Sequence, residues 1–196
     1  MSKYYCLIAG LPNISLDDSK LTYSVSEFRK ELDGILTSRD KKLVDLFFLK
    51  FDNKNLLSFS QRPDSDPDEK GSITYDEYKS LFDALKDGEK PPKNKQIPYF
   101  IEFFKQYLDS QKKEEKQTIS WEDRLAALYY DYAMKCSNGF IRNWFELNLN
   151  INNMLTAITC RKYGFDKAEY IVGNNEVAEA IRTSNARDFG LGDTVD

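Results

Sequence analysis

An all-α, or nearly all-α, bundle of helical hairpins is what this 196-residue sequence predicts. Apolar residues recur at three- and four-residue steps in successive stretches, and short runs of turn-forming residues separate those stretches. The composition, 41% apolar and 14% aromatic with 31% charged, belongs to an ordinary globular chain that can bury a sizeable core. Any strand is confined to Tyr4–Leu11 or to the neighbourhood of Leu56–Phe59.

From Ser24 onward, Val25, Phe28, Leu32, Ile35 and Leu36 fall on one helical face, with Ser24 or Ser26 as the cap. A second helix runs from Ser38 to about Phe51, its Leu43, Leu46, Phe47, Leu49 and Phe51 forming a wide apolar surface. Residues 52–73 read as an irregular acidic loop, because Asp52-Asn53-Lys54-Asn55 and Arg62-Pro63-Asp64-Ser65-Asp66-Pro67-Asp68 are turn-forming runs. Thr74 and Glu77 have the spacing of a capping box, so a helix starts there and carries Tyr78, Leu81, Phe82 and Leu85 toward Gly88, a natural stop.

Residues 91–98 form a proline-bounded connector, because each residue before a proline is pushed out of helical geometry. It divides an N-terminal helical part, 1–90, from a C-terminal hairpin part, 99–196. Tyr99, Phe100, Phe103, Phe104, Tyr107 and Leu108 define an aromatic helix that runs into the solvated charge cluster 111–117. Trp121, Leu125, Leu128, Tyr132 and Ala133 mark the next helix, capped by Thr118 or Ser120.

After Ser137-Asn138-Gly139, the residues Phe140, Trp144, Leu147, Ile151, Met154 and Ile158 step by 4, 3, 4, 3 and 4. The short link predicts an antiparallel partner for the preceding helix, and this stripe is expected to form the backbone of the fold. Asn143, Asn148, Asn150, Asn152 and Asn153 are read as the water-facing side of the same helix, with a partner-recognition row as the alternative. Arg161 and Lys162 suit its last turn and Gly164 its end.

One stretch has the spacing of a metal loop. Residues 66–77 place Asp66 and Asp68 at positions 1 and 3 of an EF-hand pattern, Gly71 at 6, Ile73 at 8 and Glu77 at 12. Carboxylates at those positions converge on calcium, and the glycine permits the sharp turn. Against this, Lys70 sits at position 5, where an oxygen ligand is needed, and Ser58–Pro63 does not read as an incoming helix. The simpler reading is an acidic turn before a helix capped by Thr74 and Glu77; a calcium-binding EF-hand-like interaction module is the alternative.

Other chemistry is excluded more firmly. Histidine is absent, which removes the commonest general base and most zinc and iron sites. No phosphate-binding glycine loop and no nucleophile elbow occurs. Cys6, Cys136 and Cys160 lack metal or disulfide spacing and are expected to be buried thiols. The formal charge is −4 with both signs interspersed, so nucleic acid is not expected as a partner. The N-terminal apolar run, Tyr4 to Leu11, is too short for a signal peptide or a membrane span, which predicts a soluble intracellular protein. No catalytic, cofactor-binding or metal residue is assigned, and an enzyme is not expected.

The opening segment, Tyr4-Tyr5-Cys6-Leu7-Ile8-Ala9-Gly10-Leu11-Pro12 through Lys20, stands with Asn175-Glu176-Val177-Ala178 and Ser184-Asn185-Ala186-Arg187-Asp188-Phe189-Gly190-Leu191. Together they resemble an uncharacterised bacterial family encoded among the subunits of V-type ATPases. The resemblance covers essentially the whole chain and implies a counterpart of the C subunit of those ATPases, which is also written d. In V-type ATPases that component is the helical funnel between the central rotor stalk and the membrane ring. The resemblance implies a non-catalytic, cytoplasmic protein held at the membrane by other ATPase subunits, and it names no site residue. The family pattern runs on beyond Asp196, so a further C-terminal helical portion is expected.

Overall fold

A computed structural model describes residues 4–17, 24–92, 97–112 and 119–192. Among them are eight α-helices, one 3₁₀ turn and no strand. The helices are α1 (Tyr5–Gly10), α2 (Val25–Ile35), α3 (Ser38–Gln61), α4 (Tyr75–Lys86), α5 (Pro98–Lys112), α6 (Trp121–Met134), α7 (Gly139–Tyr163) and α8 (Glu176–Thr183), with the 3₁₀ turn at Lys167–Glu169. The fold is all-α.

Local chemistry sets most of the starts. Ser24 and Thr74 each form a full capping box, with Glu27 and Glu77 respectively, so two otherwise orphaned N–H groups are satisfied at each end. Thr37, Ser120, Asn138 and Asn175 cap α3, α6, α7 and α8 through side-chain oxygens. Gly88 and Gly164 come just after α4 and α7 with positive φ, the conformation in which glycine closes a helix without steric cost. Thr118 and the connector residues 93–96 lie outside the described residues, as do residues 113–117 of the charge cluster.

Two expectations are corrected by the fold. Tyr4–Leu11 contains helix α1, and Leu56–Phe59 lies inside α3, so neither is a strand. The expected break at residue 52 does not occur either: α3 continues to Gln61, and the irregular chain begins only after it. Asp52, Asn53 and Asn55 look like a turn in sequence but are held in helix by partners distant in the chain, and tertiary bonding overrides weak local preference.

α3 is the central strut. Tyrosines from three other helices donate to it: Tyr78 Oη to the Asp52 carbonyl at 2.9 Å, Tyr107 Oη to the Ser60 carbonyl at 2.6 Å and Tyr129 Oη to the Leu46 carbonyl at 2.7 Å. Tyr99 Oη donates to the Asn53 side chain. Burial raises the Tyr78, Tyr99 and Tyr129 hydroxyls above the ordinary tyrosine range, so all three remain protonated donors. Around α3 the main core gathers Leu46, Leu49, Leu56 and Phe59 with Tyr78, Leu81, Tyr99, Phe100, Phe103, Phe104, Leu125, Tyr129, Ala133, Ile141 and Phe145. Phe103 and Phe104 have no exposed surface, and each such ring contributes on the order of 1.5–3 kcal/mol of burial.

A second, smaller core forms where α7 meets the C-terminal segment, from Ala157, Ile171, Ala178, Ile181 and Phe189. The sequence reading of α7 is corrected as well. Phe140, Trp144, Leu147, Ile151 and Ile158 are exposed, and the face that packs inward is Ile141, Phe145, Leu149, Asn153, Ala157 and Cys160. Of the row expected to form the backbone of the fold, five residues are on its surface and Met154 alone packs inward, against the second core.

Candidate functional site

The stretch with metal-loop spacing, residues 66–77, is built around a polar patch on α3. Asp52 is fully buried, and its Oδ1 accepts from the backbone N–H groups of Ser72 at 2.6 Å and Ile73 at 2.9 Å, while Oδ2 accepts from Ser72 Oγ at 3.1 Å. One turn on, Asn55 pairs with the main chain of Asp68 twice: Oδ1 accepts from its N–H at 2.7 Å, and Nδ2 donates to its carbonyl at 3.0 Å. Burial raises the Asp52 carboxyl above its ordinary range, partly opposed by the bonds from Ser72 and Ile73. Gly71 lies so close to this patch that an added Cβ would fall inside 3.0 Å of Asn55 Nδ2. That close approach explains the glycine without a metal ion.

The carboxylates of the stretch point to other work. Glu77 accepts from Thr74 N at 2.8 Å in the α4 capping box. Asp68 accepts from Lys70 N at 3.1 Å and pairs with Lys54 at 3.1 Å, and these bonds hold its carboxyl below the ordinary range. Among the described residues no group of three or more Asp, Glu, Cys or His side chains is placed to hold a metal ion. An incoming helix does exist, since α3 ends at Gln61, and this corrects the expectation that it is missing.

The C-terminal signature residues organise the second core. Asn175 caps α8 by accepting from Ala178 N at 2.9 Å, and Ala178 and Ile181 have no exposed surface. Asn153, expected to face water, is buried: it accepts from Val172 N at 3.0 Å and donates to Val172 O at 2.7 Å. Asn150 accepts from Asn175 Nδ2 at 2.8 Å. Arg161 donates to the carbonyls of Ala186 and Arg187, both at 2.8 Å, and lies 4.1 Å from the Phe189 ring centroid. Phe189 has φ 58°, an uncommon value for a residue with a Cβ; its buried ring lies between Arg161 and Lys167. A cavity of about 550 Å³ between α6 and residues 169–175 carries charges of both signs, Asp123, Asp131 and Glu169 beside Arg124 and Arg182. Arg182 is already engaged by Glu179 and by the carbonyls of Ile171 and Gly173.

Two stretches of exposed surface are apolar. α1 buries no residue, and around it Tyr5, Ile8, Ile14 and Leu16 are exposed, Leu16 fully. The segment is tied to α3 through Tyr4, whose hydroxyl bonds Asp40 and accepts from Thr37 N. Cys6 is exposed on it, contrary to the expected buried thiol; Cys160 is buried and Cys136 partly so. The second uncovered surface is the outer row of α7, from Phe140 to Ile158.

Hydrogen bonding to α3, α7 and the helix caps therefore accounts for the polar groups of 66–77 and of the C-terminal signature described above. The chain belongs to DUF2764, a family of proteins of unknown function, whose pattern it matches over residues 1–196. No curated protein and no solved structure matches it.

Proposed function

We propose that this protein is a non-catalytic component of a V-type ATPase, similar to its C subunit, which joins the central rotor stalk to the membrane ring and takes part in ATP-driven ion transport without hydrolysing ATP. The observation that carries the reading is the opening segment. The C-terminal half of the family signature is explained by the chain's own packing, through the Asn175 cap and the buried Ala178 and Phe189. The N-terminal half is not: α1 buries no residue and displays Tyr5 and Ile8, and the residues just after it display Ile14 and Leu16. Apolar side chains left uncovered together on a small protein mark a surface for a partner.

The all-helical architecture and the absence of histidine agree with a bracing role. No helix among the described residues is long and apolar enough to cross a membrane, so attachment to the ring would run through other subunits. The test is recovery of the full-length protein from native membranes at low ionic strength, with mass spectrometry of the proteins that stay bound. Stalk and ring subunits at stoichiometric levels support the reading; their absence sinks it.

A further inference from the structure

The exposed row of α7 is symmetric along its length. Phe140, Trp144, Leu147, Ile151, Leu155, Ile158 and Lys162 are all exposed and step by 4, 3, 4, 4, 3 and 4, so the spacing reads the same in both directions from Ile151. The residues match as well as the spacing. Reversing the helix about Ile151 sets Leu147 against Leu155, Trp144 against Ile158, Phe140 against Lys162 and Asn143 against Thr159. Apolar meets apolar, the aromatic ring meets a cation, and polar meets polar.

We infer that α7 is an isologous interface, closed by a second copy of this chain lying antiparallel along it with the two-fold axis at Ile151. An isologous contact requires that when residue i touches j, j touches i, and the row satisfies this at each pair named. The row keeps the narrow three-four spacing of a helix-to-helix seam, about 27 Å long from Phe140 to Ile158 at 1.5 Å per residue. Between Asn143 and Cys160 the only charged side chain on α7 is Glu146, which is partly covered and accepts from Asn175, so the row itself brings no like charges together.

The area is sufficient. The six apolar side chains from Phe140 to Ile158 are between 46% and 74% exposed. That leaves on the order of 600 Å² uncovered, the upper end for the largest apolar patch of a monomer. Two such faces together reach about 1,200 Å² before their polar margins are added, the lower bound of stable interfaces. This pairing goes beyond the ATPase reading, which rests on α1 and the residues just after it.

The test uses the 196-residue chain. Light scattering coupled to size-exclusion chromatography should give twice the 22.8 kDa of one chain. Leu147→Glu should halve that mass, because the new carboxylate faces Leu155 of the second copy, and Leu147→Glu/Leu155→Lys should restore it through two Glu–Lys pairs. In a Cys6→Ser background, oxidation should cross-link Ile151→Cys and not Trp144→Cys, since only a residue on the axis meets its own counterpart. Circular dichroism checks that each variant keeps its helicity; the substituted α7 side chains are about half-exposed, and Trp144 also meets the Phe47 ring edge-on. A single-chain mass for the unmodified protein at tens of micromolar overturns the inference, as does a dimer that ignores Leu147→Glu. Neither result touches recovery of ATPase subunits, so the two readings fail separately.

Discussion

Replacing Gly71 with alanine tests how the loop after α3 is held. The backbone there does not require glycine, since its φ is not among the positive values, so any cost comes from contact. The new Cβ would fall inside 3.0 Å of Asn55 Nδ2, at 3.2 Å from Asp52 Oδ1 and 3.3 Å from the Asp68 carbonyl. Asn55 cannot yield cheaply, being 2% exposed and committed to both main-chain groups of Asp68. Losing those two bonds at about 1 kcal/mol each, with part of a desolvation penalty, predicts a loss of about 2–3 kcal/mol. Asn55→Ala should cost a similar amount and at the same time vacate the space. In that background Gly71→Ala should become neutral or stabilising by about 0.5 kcal/mol, because alanine restricts the unfolded chain. The double-mutant cycle, measured by urea unfolding monitored at 222 nm, should therefore show a coupling of about 2–3.5 kcal/mol. Additive effects, or a Gly71→Ala cost below about 0.5 kcal/mol, would refute the account of a loop latched to α3.

Three further outcomes rest on the same geometry. Burial raises the folded Asp52 carboxyl, so ionisation is harder in the folded than in the unfolded chain; its contribution is full below the unfolded value of about 3.9 and is lost as pH rises through the raised folded value. Asp52→Asn keeps an acceptor for Ser72 N and Ile73 N, so at pH 7 it should be at least as stable as the parent, and on acidification through that window the parent should gain stability relative to the variant, which has no carboxyl to titrate. Asn153→Ala should cost about 2–4 kcal/mol by stranding the N–H and C=O of Val172, with faster hydrogen exchange concentrated in residues 165–192. Millimolar calcium should leave the melting temperature of the protein unchanged, because Glu77 and Asp68 are committed to Thr74, Lys70 and Lys54; a rise that Glu77→Gln abolishes would revive the calcium module.

Helix positions were legible in the sequence wherever a cap coincided with apolar spacing, as at Ser24, Thr74 and Ser120. The inward face of α7 was not legible. That helix has two apolar rows, and the more hydrophobic one, with Trp144, Leu147 and Ile151, is outside. The inner row includes Asn153 and Ala157, because one bonds the Val172 main chain and the other, fully buried, sits in the second core. Ranking by hydrophobicity therefore selects the wrong face. Asp52 and Asn55 misled for a related reason: their partners are 13 to 21 residues further along the chain, so a local reading takes them for a turn. Of the candidate docking surfaces, the opening segment was visible only as a family signature, and its exposure became apparent in the fold.

The proposed docking of the exposed opening segment onto a V-type ATPase can be tested by comparing recoveries from native membranes. The unmodified full-length protein and Tyr5→Asp/Ile8→Asp would be captured side by side at low ionic strength, and the bound subunits counted by mass spectrometry. Both replaced side chains are about two-thirds exposed, so the variant should fold like the parent. Stalk and ring subunits are expected at stoichiometric levels with the parent, with a loss of at least ten-fold for the variant, on the order of 1.4 kcal/mol of binding. Equal recovery with both proteins, or no ATPase subunits with either, would contradict it.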